Sequence, residues 1–218
     1  MRRTPTLAFL LVTVGIDMLG LGLIVPIVPS LMTAITGHPA SAAQWSGIVG
    51  ASYGLTQFLA APFLGRLSDR YGRKPVLVAA LTFLGVDYLI HGIANSVWLL
   101  VLAHGLAGAF AGTGTVVNAY IADITEPAQR PKAYGLIGAA FSIGFVAGPA
   151  ISGLLGAVNV RVPFYVAAGL AFVNASYGLL VVPESRPGDR RTGLGWRVAN
   201  PVSALVMMLR RNAAVMAH

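Results

Sequence analysis

The sequence predicts an all-α integral membrane protein, with six transmembrane helices built as two inverted three-helix repeats. Three observations predict it. Hydrophobic residues fill 56% of the 218 positions and charged residues only 10%, where a soluble domain averages about a quarter charged. Six apolar runs are each long enough to cross a hydrocarbon layer of roughly 30 Å at about 1.5 Å per helical residue. Fourteen of the fifteen Lys and Arg residues fall in alternate connections between those runs.

The first run, Leu7 to Met32, follows Met1-Arg2-Arg3. It is too long, and too poor in a small-residue cleavage site, for a removable signal peptide, so it reads as a retained span. The next runs are Trp45 to Gly65, Pro75 to Ala94, Val97 to Ile121, Ala133 to Val158 and Pro163 to Val182. None alternates with period two, and backbone groups in lipid must be satisfied internally, so each run is a helix rather than a barrel strand.

Charge placement predicts topology. Arg2 and Arg3, Arg66 to Lys74, Arg130 with Lys132, and six arginines between Arg186 and Arg211 share one side; Arg161 alone lies on the other. By the positive-inside rule both termini are cytoplasmic, in the plasma (inner) membrane of a multi-pass protein. The net charge of +8 is therefore topological, and nucleic acid is excluded as a partner because the cations sit in short connections rather than on one folded face. The absence of cysteine excludes disulfides, iron–sulfur clusters and thiolate zinc sites. No cofactor and no metal-ligating set is expected. Gly112-Thr113-Gly114 lacks the strand and third glycine of a dinucleotide site, and no metalloprotease, nucleophile-elbow, Walker or kinase motif occurs, so the chain reads as no enzyme.

An internal repeat accompanies the spans. Ala61-Pro62, Gly65, Arg73, Pro75 and Val78-Ala79-Ala80 recur loosely as Gly148-Pro149, Gly153, Arg161, Pro163 and Val166-Ala167-Ala168. Spans two and three thus resemble spans five and six, and a unit of three spans re-enters the membrane upside down.

The stretch Gly65-Arg66-Leu67-Ser68-Asp69-Arg70-Tyr71-Gly72-Arg73-Lys74-Pro75 resembles motif A of the major facilitator superfamily, with Gly65, Asp69, Arg70, Gly72, Arg73 and Lys74 at matching positions. The resemblance gives Asp69 the part of a conformational latch toward a second six-helix half. Gly144-Phe145-Val146-Ala147-Gly148-Pro149-Ala150-Ile151-Ser152-Gly153 looks like motif C of the drug:proton antiporter branch, with Ser152 in place of a glycine. Gly144 and Gly148 leave a smooth groove for a neighbouring helix, Pro149 allows a bend, and Gly153 completes the pattern.

Two acids lie inside spans, where burial of charge is expensive enough to mark function. They are Asp17 and Asp87, both near mid-membrane. Their settings, Gly15-Ile16-Asp17-Met18-Leu19-Gly20 and Val86-Asp87-Tyr88, resemble spans one and three of the tetracycline-resistance efflux proteins, which implies a role in proton or cationic-substrate handling. His104 stands where that family carries the arginine of its motif B. His91 reads as a structural residue. Of the polar residues able to face a cavity, Gln57, Asn118, Ser142 and Asn174, only Gln57 has a family-like setting, with Tyr53 beside it. Asp123, Glu126 and Arg130 organise a cytoplasmic turn, and Pro183-Glu184-Ser185 matches the family's ending of span six.

The resemblance implies a proton-coupled exporter of small amphiphilic drugs, working by alternating access. That family has twelve spans, and this sequence holds six, in residues 1–185. Residues 186–218 read as a basic linker with a surface helix near Asn200-Pro201 and the start of a seventh span at Ala213. The expected partners are the bilayer, a drug-like substrate, protons, and either a C-terminal half or a second copy of the chain. A non-transporting regulatory half or a truncated fragment is the alternative.

Overall fold

In the computed structural model, which describes residues 7–185, eight α-helices and one short 3₁₀ turn form the fold, with no strand among the described residues. Arg2, Arg3 and the segment 186–218, where a linker, a surface helix and the start of a seventh span are expected, lie outside them. The helices combine into six membrane-length spans.

Span one is α1 (Leu7–Ile24) and α2 (Val28–Thr36). Span two is α3 (Pro39–Tyr71), and span three is α4 (Arg73–Ile93). Span four is α5 (Val97–Ala109) followed by α6 (Thr113–Ile124). Span five is α7 (Arg130–Val158), and span six is α8 (Val162–Leu180).

Two breaks depart from the continuous spans expected. Span one opens between Ile24 and Val28 because Pro26 and Pro29 supply no N–H to the turn before them. The Ile27 N–H then turns to the Ile24 carbonyl at 3.1 Å. Span four opens at Phe110 to Gly112, in a segment carrying glycine at 105, 108, 112 and 114, where helix propensity is low. Span two, at 33 residues, is longer than expected, since no breaker stops the helix before Gly72.

The pairing of spans follows the repeat. Span one packs on span five, span two on span four, and span three on span six. A two-fold relation carrying spans one to three onto four to six converts the first pair into the second and the third into itself. It also pairs the broken spans one and four, and the proline-containing helices α3 (Pro62) and α7 (Pro149).

Close approach explains two of these contacts. At Gly148 an added Cβ would overlap the backbone of Gly22, and at Gly144 that of Gly15. Pro149 lacks the N–H that would hold the Phe145 carbonyl, and that oxygen faces Gly22, where a Cβ would lie only 2.7 Å away. Ser152 keeps the seam closed by donating its hydroxyl to the Leu23 carbonyl at 2.6 Å, an acceptor left without its helical partner by the span-one break. On the related seam Gly108 meets the backbone of Tyr53, and Ser52 donates to the Val101 carbonyl at 3.2 Å. Gly153 lies outside the groove; a Cβ there meets nothing within 4 Å.

Candidate functional site

A cavity of about 660 Å³ opens among spans one to four, in the half of the bundle remote from the connection at Gly65–Lys74. Asp17 and the residues around the break, Ile24, Val25 and Val28, line it from span one. Val49, Tyr53 and Gln57 enter from α3, Asp87, Tyr88 and His91 from α4, and His104 and Ala107 from α5. Asp17, Asp87, His104, Gln57 and Tyr53, expected from separate spans, thus share one wall.

Two arrangements dominate it. Asp17 is buried, and its Oδ1 has no hydrogen-bond partner. Asp87 is also buried; His104 Nδ1 holds its Oδ2 at 2.7 Å, while His91 Nδ1 lies 3.2 Å from Oδ1, which makes no hydrogen bond. The His91 Nδ1–H donates to the Asp87 backbone carbonyl at 2.9 Å, which sets its tautomer. The Tyr53 ring rests against His104, with centroids 4.7 Å apart. A break in each of two related spans, a mostly apolar lining and a few convergent polar groups meet at this cavity, the features that mark a candidate binding site.

His91 belongs to this cluster, although its own sequence setting suggested only a structural residue. It stands one helical turn beyond Asp87, so the i, i+4 spacing was the available signal. Tyr88 was likewise missed. Asn174 lies in the helix interface instead, donating to the Thr13 carbonyl at 2.9 Å. Asn118 and Ser142 are exposed outside the cavity lining.

The opposite end is held by ions. Gly72 ends α3 with φ +106°, a left-handed backbone that favours glycine, and the Glu184 carboxylate occupies the space where a Cβ would stand. Glu184 accepts the backbone N–H groups of Arg73 at 2.8 Å and Lys74 at 3.2 Å, capping the exposed donors that begin α4. The buried Arg73 guanidinium reaches Asp69 at 2.8 Å, Asp123 at 2.8 Å and the Ser68 hydroxyl at 2.7 Å. Asp123 therefore ties span four to the start of span three, a longer reach than a local turn. Arg130 caps the last carbonyls of α6, donating to Ala122 at 3.0 Å and Thr125 at 3.2 Å, while Glu126 is exposed before the 3₁₀ turn. Arg70 lies exposed over the Tyr71 ring, 5.4 Å from its centroid. At the cavity end Arg161, the repeat counterpart of Arg73, donates to the Gly92 and Ala94 carbonyls, both at 2.8 Å. Each arginine thus stands at the first turn of span three or six and fastens its own end of the bundle.

Arg73→Met is expected to leave Asp69 and Asp123 without their cation and to cost about 1–2 kcal/mol, less than a fully buried pair because the two acids keep 35% and 22% of their exposure. Arg73→Lys recovers little, because one ammonium cannot reproduce the guanidinium's planar fork. Thermal denaturation in detergent measures both; an unchanged midpoint in Arg73→Met would contradict the assignment.

Residues 10–217 match the Major Facilitator Superfamily, and the chain belongs to that family. It is 43% identical over 204 residues to the tetracycline resistance protein, class C, of Escherichia coli, covering 94% of this chain and 51% of that protein. It is 38% identical over 194 residues to multidrug resistance protein 1 of Bacillus subtilis, covering 87% and 48%. The crystal structure of the human organic anion transporter MFSD10 (TETRAN) shares the fold, with a TM-score of 0.77 at 24% identity over 88% of this chain and 51% of that one. The chain spans about half the length of these relatives.

Proposed function

We propose that this chain is the N-terminal half of a proton-coupled exporter of tetracycline-like or similar amphiphilic drugs, working by alternating access. The observation that carries the reading is Asp17: a buried carboxyl with an unpartnered oxygen on the wall of an apolar cavity. A charge there is expensive at membrane depth, whereas a carboxyl that takes up a proton from one side and surrenders it to the other supplies the exchange that export requires. Asp87, with His91 and His104, supplies the polar face against which a cationic part of the substrate rests. Gln57 and Tyr53 orient the remainder. Relatives named for tetracycline and multidrug resistance support the substrate class.

The ionic cluster around Arg73 is the closed gate of this arrangement, and Asp69 adds the latch toward the other half. With the Lys- and Arg-rich connections facing the cytoplasm, the cavity belongs to the outer half of the plasma (inner) membrane. A C-terminal six-span half, or a second copy of the chain, completes the opposite wall.

The test uses inside-out vesicles loaded with the chain alone or together with a matching C-terminal half, energised by a proton gradient. Accumulation of a fluorescent tetracycline that collapses with an uncoupler is the expected result when the second half is present. Its absence under both conditions, with both proteins folded in the membrane, would overturn the reading. Transport by the chain alone, with a dimer mass in mild detergent, would assign the missing wall to a second copy.

A further inference from the structure

We propose that Asp87, His91 and His104 form a binding site for a divalent transition-metal ion, with Zn²⁺ as the best-suited ion. One ligand atom from each of the three lies within 4.8 Å of the others. A tetrahedral ion with bonds of roughly 2.0–2.1 Å holds its ligand atoms about 3.3 Å apart. The two carboxylate–imidazole separations, 2.7 Å and 3.2 Å, lie just below that value, so a small side-chain rotation opens the set around an ion.

The donor chemistry selects the ion. Two imidazoles and one carboxylate suit Zn²⁺, Co²⁺ or Ni²⁺, whereas Mg²⁺ and Ca²⁺ prefer an all-oxygen shell. Ligation through His91 Nδ1, the nitrogen beside Asp87 Oδ1, takes the tautomer with the proton on Nε2, so the ion replaces the Nδ1–H bond to the Asp87 carbonyl. His104 Nδ1 lies 2.7 Å from Asp87 Oδ2; the arriving ion takes Nδ1 while the ring keeps a proton on Nε2, and a proton leaves to solvent only where the ring began doubly protonated. His91 and Asp87 are buried, while the His104 side chain retains 21% of its exposure toward the cavity. The three ligands therefore leave a fourth coordination position open to the cavity, for water or for an oxygen donor on a bound molecule. Because two ligands stand on α4 and one on α5, the ion also joins spans three and four across the cavity wall.

The site shares Asp87, His91 and His104 with the transport reading but is tested apart from it, because metal binding is measured without transport. Co²⁺ is titrated into the full chain, purified in nanodiscs with a histidine-free tag and stripped with a chelator. The expected result is the intense visible absorption of tetrahedral Co²⁺ saturating near one ion per chain, abolished by Zn²⁺, with a higher thermal unfolding midpoint in the presence of Zn²⁺. His91→Gln and His104→Gln each weaken Co²⁺ binding roughly tenfold or more, since losing even a hydrogen-bond partner of a ligand does that much. His38→Gln, on the loop between α2 and α3, leaves it unchanged. Absence of the absorption in the unmodified chain, or its survival in the His91→Gln/His104→Gln double variant, would overturn the proposal.

Discussion

Asp17→Asn is expected to reduce gradient-driven drug accumulation by about a hundredfold, a change of ~2.7 kcal/mol at the rate-limiting step. Asparagine has nearly the volume and polarity of aspartic acid but carries no exchangeable carboxyl proton. The cavity wall keeps its shape in that variant, so the loss isolates proton exchange from packing. Two assays separate the possible meanings. If Asp17 carries the proton, exchange of labelled for unlabelled drug across the membrane persists in Asp17→Asn while accumulation against a gradient disappears. If Asp17 instead contacts the drug, both fail together. Asp17→Glu keeps a titratable group and retains part of the accumulation. Full accumulation by Asp17→Asn would remove Asp17 from the mechanism.

Gly148→Val is expected to destabilise the bundle by more than about 3 kcal/mol, above the usual penalty for an extra methylene in a packed core. The added atoms meet the Gly22 backbone, which has no side-chain rotamer through which to yield. Spans one and five must then separate, which breaks the Ser152–Leu23 hydrogen bond and strips the span-one break of its support. Gly153→Val, one turn further on an exposed face where a Cβ meets nothing within 4 Å, is the matched control and shifts stability by no more than about 0.5 kcal/mol. Thermal unfolding in the same detergent compares them; equal midpoints would show that close approach at Gly148 is dispensable.

Much of this was legible along the chain. Lipid demands one solution of every segment that crosses it, a fully hydrogen-bonded helix, so hydropathy alone counts the spans. Motif spacing likewise pointed to Asp17, Asp87 and His104 separately. The breaks were harder to see: Pro26 and Pro29 were visible, but proline within an apolar run either bends a helix or ends it, and packing against span five decides which. His91 escaped because its i, i+4 spacing from Asp87 says only that the two share a helix face, not what that face meets. Only the turn of α4 and the position of α5 bring it beside Asp87 and His104.

Asp123 and Glu184 show the same division from another side. Each sits in a short connection where a local turn is sufficient explanation, and each reaches instead to the start of span three, Asp123 to the Arg73 side chain and Glu184 to backbone N–H groups. From the sequence alone come the solvent, the number of spans, the family and the identity of the intramembrane acids, because these depend on local hydrophobicity and on spacing within single segments. The tertiary structure alone decided that two histidines stand beside Asp87 and none bonds Asp17 Oδ1, where spans one and four break, and which groups the arginines fasten at each end of the bundle. Those features arise from contacts between residues as far apart as 129 positions, as for Leu23 and Ser152, and they exist only once helix packing has set the distances.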